Sequence, residues 1–233
     1  MAKKLSDIEQ LVNESNDSFV TYLKSNFDKR VIDLLNKLSL ETNVYIFSGV
    51  IRNFFLKVNE NRDLDLVLEN EIDLQELLSD FKISMNSFGG YKIEFKNLNI
   101  DLWFLHNTWS VKNHQLTLNF QLDKYIPQTA FFNFSAIMFS YNRKEFIYTI
   151  HFLRFLRDKK LEMVYAPNPN NALCIVNTFY YSDKFKMKIG HKLKGHIKRI
   201  STTNLEQTID VQKKHFGKVI YTITDLKTHI EHL

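Results

Sequence analysis

A single cysteine stands in 233 residues. It excludes an intramolecular disulfide and a cysteine-based zinc cluster, and a reducing compartment is the straightforward reading. Six glycines and three prolines are too few for a collagen-like or linker-dominated chain. No apolar run approaches membrane-spanning length. The first residues, Met1-Ala2-Lys3-Lys4-Leu5, carry basic charge with no apolar stretch behind it, so no signal peptide is expected and the cytoplasm is the default location. Neither sign of charge dominates: 31 Lys and Arg face 26 Asp and Glu, and the net +5 favours a polyanionic partner only slightly. The eight histidines show no metal-ligand spacing supported by acids, and no Ser-His-Asp or Cys-His nucleophile motif is present. Cys174 lies in an apolar helical run and reads as core. What is abundant is bulk: with twenty Phe and ten Tyr the chain can build a well-packed interior.

Leu5, Ile8, Leu11, Val12, Phe19, Val20 and Leu23 approximate helical spacing, as do Phe27, Val31, Leu34, Leu35 and Leu38, which predicts two amphipathic helices ahead of the first strand. Residues 43–48 read as that strand, 49–58 as a helix, 63–69 as a second strand and 71–81 as a helix. Gly89-Gly90 precedes Tyr91–Phe95 and Ile100–Leu105, which alternate like a β-hairpin about Asn97-Leu98-Asn99. An almost wholly apolar run, Phe131–Phe139, follows, and Phe146–Ile150 reads as a further strand. Pro167 and Pro169 mark the clearest boundary. Beyond it the pattern is helical over 170–182, 187–199, 204–215 and about 222–232.

The chemistry concentrates between Val44 and Asp65. Val44-Tyr-Ile-Phe47 ends at Ser48-Gly49, a helical pattern carries Arg52 and Asn53, and Arg62-Asp63-Leu64-Asp65 opens the next strand. Side chains alternate along a strand, so Asp63 and Asp65 share a face while Leu64, Leu66 and Leu68 take the other. Two neighbouring carboxylates repel each other, and a divalent cation relieves that repulsion; Mg²⁺ is commonly held by one or two carboxylates plus substrate phosphates. Gly49 at a helix start offers backbone N–H groups to a phosphate. Cation and phosphate cradle together point to nucleotidyl transfer.

These residues resemble the head domain of the polymerase β-type nucleotidyltransferases, in particular the poly(A) polymerase and tRNA CCA-adding branch. That branch carries Gly-Gly-x-Val-Arg-Asp and then Asp-x-Asp in a strand; here Ser48-Gly49-Val50-Ile51-Arg52-Asn53 precedes Asp63-Leu64-Asp65. The resemblance implies an α+β fold, a mixed-sheet head with flanking helices followed by a helical neck. The corresponding divisions are residues 1–42 (N-terminal helices), 43–165 (head) and 166–233 (neck). It implies Mg²⁺ or Mn²⁺ at Asp63, Asp65 and a third acid, Asp101, with Glu94 in reserve. NTP is the implied substrate, its phosphates meeting Ser48, Gly49, Arg52 and Asn53, and an RNA 3′ end, plausibly of tRNA, is the implied acceptor.

Lys184–Arg199, with seven Lys or Arg and no acid, reads as a basic stripe on a neck helix. It offers Lys186, Lys188, Lys192, Lys194, Lys198 and Arg199 to an RNA backbone. Two departures from the family stand out. Ala130 and Phe131 occupy the place of its Arg-Asp pair, and Pro169–Phe179 lacks the Glu, Asp and Arg that select the incoming base. Transfer chemistry without CCA templating is the expectation. The alternatives are nucleotidylation of a protein or small molecule, and a binding subunit without activity. No membrane partner is expected, and oligomeric state is not legible.

Overall fold

The computed structural model describes residues 4–47, 49–85, 89–95, 98–114, 125–168 and 170–233. Ser48, Asn97 and Pro169, which carry expectations above, lie outside the described residues. The chain divides into two compact units, Met1–Thr129 with Phe134–Leu153, and Ala130–Asn133 with Arg154–Leu233. The fold is α+β, with eleven α-helices and a mixed seven-stranded sheet among the described residues.

The first unit opens with three helices, α1 (Leu5–Glu14), α2 (Asn16–Asn26) and α3 (Lys29–Glu41), where two were expected. The extra break is at Ser15, whose hydroxyl donates to Leu11 O at 2.6 Å. Such back-bonding competes with the helical ladder and bends it. Asp28 then caps α3 by accepting from Arg30 N, and Val31, Leu34, Leu35 and Leu38 form its buried stripe.

The sheet is built from β1 (Val44–Phe47), β2 (Asp63–Leu68), β3 (Lys82–Met85), β4 (Tyr91–Phe95), β5 (Leu98–Phe104), β6 (Ile137–Ser140) and β7 (Glu145–Tyr148). Its order is β3-β4-β5-β2-β1-β6-β7. Within this sheet only the β2–β5 pair is parallel among the pairings described. The helix α4 (Gly49–Leu56) follows β1 directly, whereas α5 shrinks to Leu74–Leu77 and leaves 82–85 free to add the edge strand β3 that periodicity did not reveal. A short α6 (Trp109–His114) also went unforeseen.

One face of this sheet carries Ile46, Leu64, Leu66, Ile100, Leu102 and Phe139, all fully buried. Aromatic rings seal it: Phe19 of α2 meets Phe139 at 4.8 Å and Phe54 of α4 at 5.2 Å, and Phe55 meets Phe146 at 5.2 Å. Edge-to-face ring pairs add to the area term. The opposite face is divided. Tyr45, Val67 and Met138 bury under Leu105 and Ile126, with Phe47 packed alongside. The rest of that face holds the acids.

The second unit contains most of α7 (Ile150–Asp158), then α8 (Asn171–Phe185), α9 (His191–Asn204), α10 (Thr208–Phe216) and α11 (Ile223–Glu231). A two-stranded parallel sheet joins β8 (Lys160–Leu161) to β9 (Lys188–Ile189). The helix expected over 187–199 therefore begins later. Lys186 ends α8 in the left-handed region at φ 53°, so the chain reverses and Met187 N reaches Ser182 O at 2.9 Å. The alternation Lys184-Phe-Lys-Met-Lys-Ile189 is a period-two pattern, and its end forms strand. Gln212, fully buried, accepts from Ile220 N and Tyr221 N and donates to Thr208 O and Tyr221 O, which fixes the loop before α11.

Candidate active site

Parallel pairing of β2 with β5 sets the site. Asp65 is the register partner of Asp101, and Asp63 that of Asn99. Partners on adjacent strands project to the same side at a spacing of about 4.8 Å, so Asp63, Asp65 and Asp101 share one face. Leu64 and Leu66, facing the other way, are fully buried in the core; this anchors the register, because a one-residue slip would invert both faces. Asp65 is partly buried, and its carboxyl is pushed up from 3.8 to about 7. Burial is the largest cause, followed by the negative charges of Asp101 and Asp63; Arg52 and Arg62 offset part of it.

Asp63 already has company. Arg62 directs Nε and Nη2 at Asp63 Oδ2, each at 2.7 Å, and Asn99 Nδ2 lies 3.3 Å from Oδ1. An ionised carboxylate offers about four acceptor positions, so these bonds leave room for a further ligand. Glu94, the reserve acid, sits on β4 and pairs with Lys82 at 2.8 Å. Its register partner is Asn99, not Asp101. Among the described residues no three His, Cys, Asp or Glu side chains form a ready-made metal cage.

Gly49 opens α4 where expected. A Cβ added there would meet Arg52 Nη2 at 3.9 Å, ordinary contact distance, so packing tolerates a larger residue. Arg52 is buried, its guanidinium 4.9 Å from the centre of the Phe134 ring. Its Nε and Nη2 donate to Asn53 Oδ1 at 3.1 and 3.0 Å. Asn53 in turn donates to Glu60 O at 2.8 Å and Asn61 Oδ1 at 3.1 Å, and Asn61 donates to the Tyr22 hydroxyl at 2.7 Å. Asn53 thus orients Arg52 and ties down the loop that leads into β2. The network explains why an amide serves here: an aspartate could not donate to the Glu60 carbonyl. Sequence alone assigned Arg62, Phe134 and Asn61 no role in the site, although Arg62 sits directly against Asp63 in the chain.

In the second unit the basic residues lie on three elements instead of one helix face. Lys186 is the left-handed cap of α8, Lys188 lies in β9, and Lys192, Lys194, Lys198 and Arg199 are on α9. All except the half-buried Lys194 are exposed. Arg199 Nη2 is 2.9 Å from His196 Nδ1, and burial with this nearby cation pushes the His196 pKa down, keeping the ring neutral. Ala130 and Phe131 are buried, and Phe131 packs against Phe132 at 4.7 Å and His196 at 5.6 Å.

No protein-family profile and no curated protein matches the sequence. Solved structures do match. A CCA-adding enzyme in complex with CTP superposes with a TM-score of 0.66 at 15% identity, covering 91% of this chain and 54% of that one. A Thermotoga maritima CCA-adding enzyme complexed with tRNA gives 0.64 at 15% identity over 91% and 53%. A tRNA-processing enzyme with CTP gives 0.59 at 16% identity over 83% and 53%. This chain spans about half the length of these proteins. No helix among the described residues is long and apolar enough to cross a membrane. At such identity the likeness is one of fold, and the fold is like that of these CCA-adding enzyme structures.

Proposed function

We propose that this chain is a metal-dependent nucleotidyltransferase that moves NMP from an NTP to an RNA 3′ end, that of a tRNA, without CCA templating. The observation that carries the reading is the register of Asp65 against Asp101 with Asp63 on the same face. Three like charges held together raise the free energy of the folded chain, as the elevated Asp65 pKa reports, and a bound cation repays that cost. The donor set suits a hard divalent ion such as Mg²⁺ or Mn²⁺, which prefers oxygen ligands, and Asp63, Asp65 and Asp101 would hold it. When bound, the ion lowers the pKa of the acceptor hydroxyl and neutralises charge on the leaving pyrophosphate.

The chain's own groups supply the rest. Arg52, clamped by Asn53 and Phe134 beside Gly49, presents fixed positive charge to the triphosphate at the start of α4. Its rotamer is set before substrate arrives, so little side-chain freedom is lost on binding. Backbone N–H groups at Gly49, with Ser48 before it, take the β- and γ-phosphates. Lys186, Lys188, Lys192, Lys194, Lys198 and Arg199 attract the RNA backbone. Ala130 and Phe131, where the resemblance would put an Arg-Asp pair, are buried and apolar and offer no charge to read a base. The same observation favours a second reading, in which the acceptor is a protein or small-molecule hydroxyl.

Incubation with each α-labelled NTP, Mg²⁺ and total RNA, with label resolved in RNA, protein and small molecules, tests both. Label in RNA that disappears with Asp65→Asn supports the first reading, and label elsewhere the second. Absence of transfer to any acceptor, or full activity in Asp65→Asn, overturns the proposal.

A further inference from the structure

Outside the acidic site, the second unit contains a cleft of about 580 Å³ bounded by β8, β9 and the ends of α8, α9 and α11. Lys160, Lys188 and Lys194 line its rim together with His191, His229 and His232, and Asp183 is the one acidic side chain in the lining described. Asp183 is engaged, accepting the Tyr221 hydroxyl at 2.6 Å. The floor is apolar, formed by Phe179, Met187 and Ile189. His229 is stacked on Phe179 at 5.0 Å and meets Tyr221 edge-on at 5.4 Å, which fixes its ring at the wall.

Lys160 and Lys188 are register partners in the parallel β8–β9 pair, so both project to one side. Like charges directly opposite one another destabilise a sheet. No salt bridge among the described residues holds either one. Asp158, which feels the charge of Lys160, is committed to Arg157 through bonds of 2.6 and 3.0 Å. Lys194, one turn into α9, reaches the cleft with Nζ 3.0 Å from Leu233 O. The position of α9 is itself fixed: Glu162 accepts from Leu193 N at 2.7 Å and so caps the helix that carries His191 and Lys194.

We infer that this cleft is a binding site for a nucleotide phosphate, carried by a free nucleotide or by an RNA strand, separate from the acidic site. The volume and the pairing of an apolar floor with a few convergent polar groups are those of a small-molecule site. Lysines bind phosphate as point charges, and a dianion between Lys160 and Lys188 removes their mutual repulsion. The floor accepts the base or sugar. The RNA arm deepens the acceptor proposed above, while the binding itself needs no transfer chemistry.

The test uses the full chain in EDTA, with fluorescein-labelled single-stranded RNA, ATP, pyrophosphate and polyglutamate as probes. Wild type, Lys160→Gln/Lys188→Gln and Asp65→Asn are compared, each first shown to melt like wild type or higher. Binding of RNA or ATP is expected to weaken at least about tenfold in the double lysine variant at low salt, with a shallower salt slope. Asp65→Asn retains it. RNA binding that ATP and pyrophosphate displace identifies a site for free nucleotide; RNA binding that neither displaces identifies an RNA-borne phosphate. Polyglutamate binding as tight as RNA, equal affinity in the double variant, or no binding of any phosphate probe overturns the inference. None of these outcomes depends on whether NMP transfer is detected, so this inference and the proposed activity fail separately.

Discussion

The charge of Asp65 should make the metal-free protein less stable as pH rises, and one substitution should remove the effect. Its pKa stands at about 7 in the fold against an ordinary 3.8. Below about pH 4 the group is protonated folded and unfolded alike, and costs nothing. Between about pH 4 and 7 the unfolded chain gives up the proton while the folded chain keeps it, so stability falls with rising pH and levels off above about 7. At about 1.4 kcal/mol for each tenfold change in proton affinity, the difference is about 4 kcal/mol at most. Partial exposure and relaxation of the neighbouring acids bring it to about 2–4 kcal/mol. Asp65→Asn retains the shape and cannot ionise. In EDTA it should therefore exceed wild type by that amount at about pH 8 and match it near pH 4, a melting-temperature gain of several degrees. Urea unfolding of both proteins across this range, repeated with Mg²⁺, is the assay. Mg²⁺ should restore wild type at high pH and do little for Asp65→Asn. A stability difference that does not change with pH would refute the convergence of the three acids.

The remaining predictions concern the groups around this centre. Arg62→Ala removes a half-exposed pair with Asp63 and should change stability by no more than about 1 kcal/mol. It should also tighten Mn²⁺ binding, because Asp63 is released and a nearby cation is lost; calorimetric titration of Mn²⁺ into both proteins checks this. Asn53→Ala strips Arg52 of two bonds and frees the loop at Glu60 and Asn61, a loss of about 2–3 kcal/mol in urea unfolding. Gly190→Ala would set a Cβ against the Glu162 carboxylate and displace it from Leu193 N. The lost cap should cost about 1–2 kcal/mol, and a double-mutant cycle with Glu162→Ala should show that the two losses do not add.

The acidic strand was legible because a two-residue period needs only local information: Asp63-Leu64-Asp65-Leu66 states its two faces without reference to the rest of the chain. The parallel pairing that sets Asp101 beside Asp65 is a different kind of fact, since register between strands more than thirty residues apart is decided by packing on the opposite face. The resemblance supplied it. Periodicity failed where a short element is stabilised by a distant partner. β3 exists because β4 accepts it, and β9 because Lys186 reverses the chain against Ser182 and β8 pairs with it. Reading Lys184–Arg199 as one helix missed a signal in plain view, the alternation that ends in β9.

The charged and apolar groups of the site divide along physical lines. Repelling carboxylates carry a standing cost, and three of them share one sheet face here; the proposed cation would offset that cost. Ala130 and Phe131, by contrast, are buried and apolar, and a charge at either place would carry a desolvation cost. The arrangement of Arg52 belongs with the first group. A buried guanidinium held by Asn53 and Phe134 beside an uncrowded glycine is costly to maintain as structure alone, and under the proposed activity it would supply the counter-charge that the phosphates of a nucleotide need.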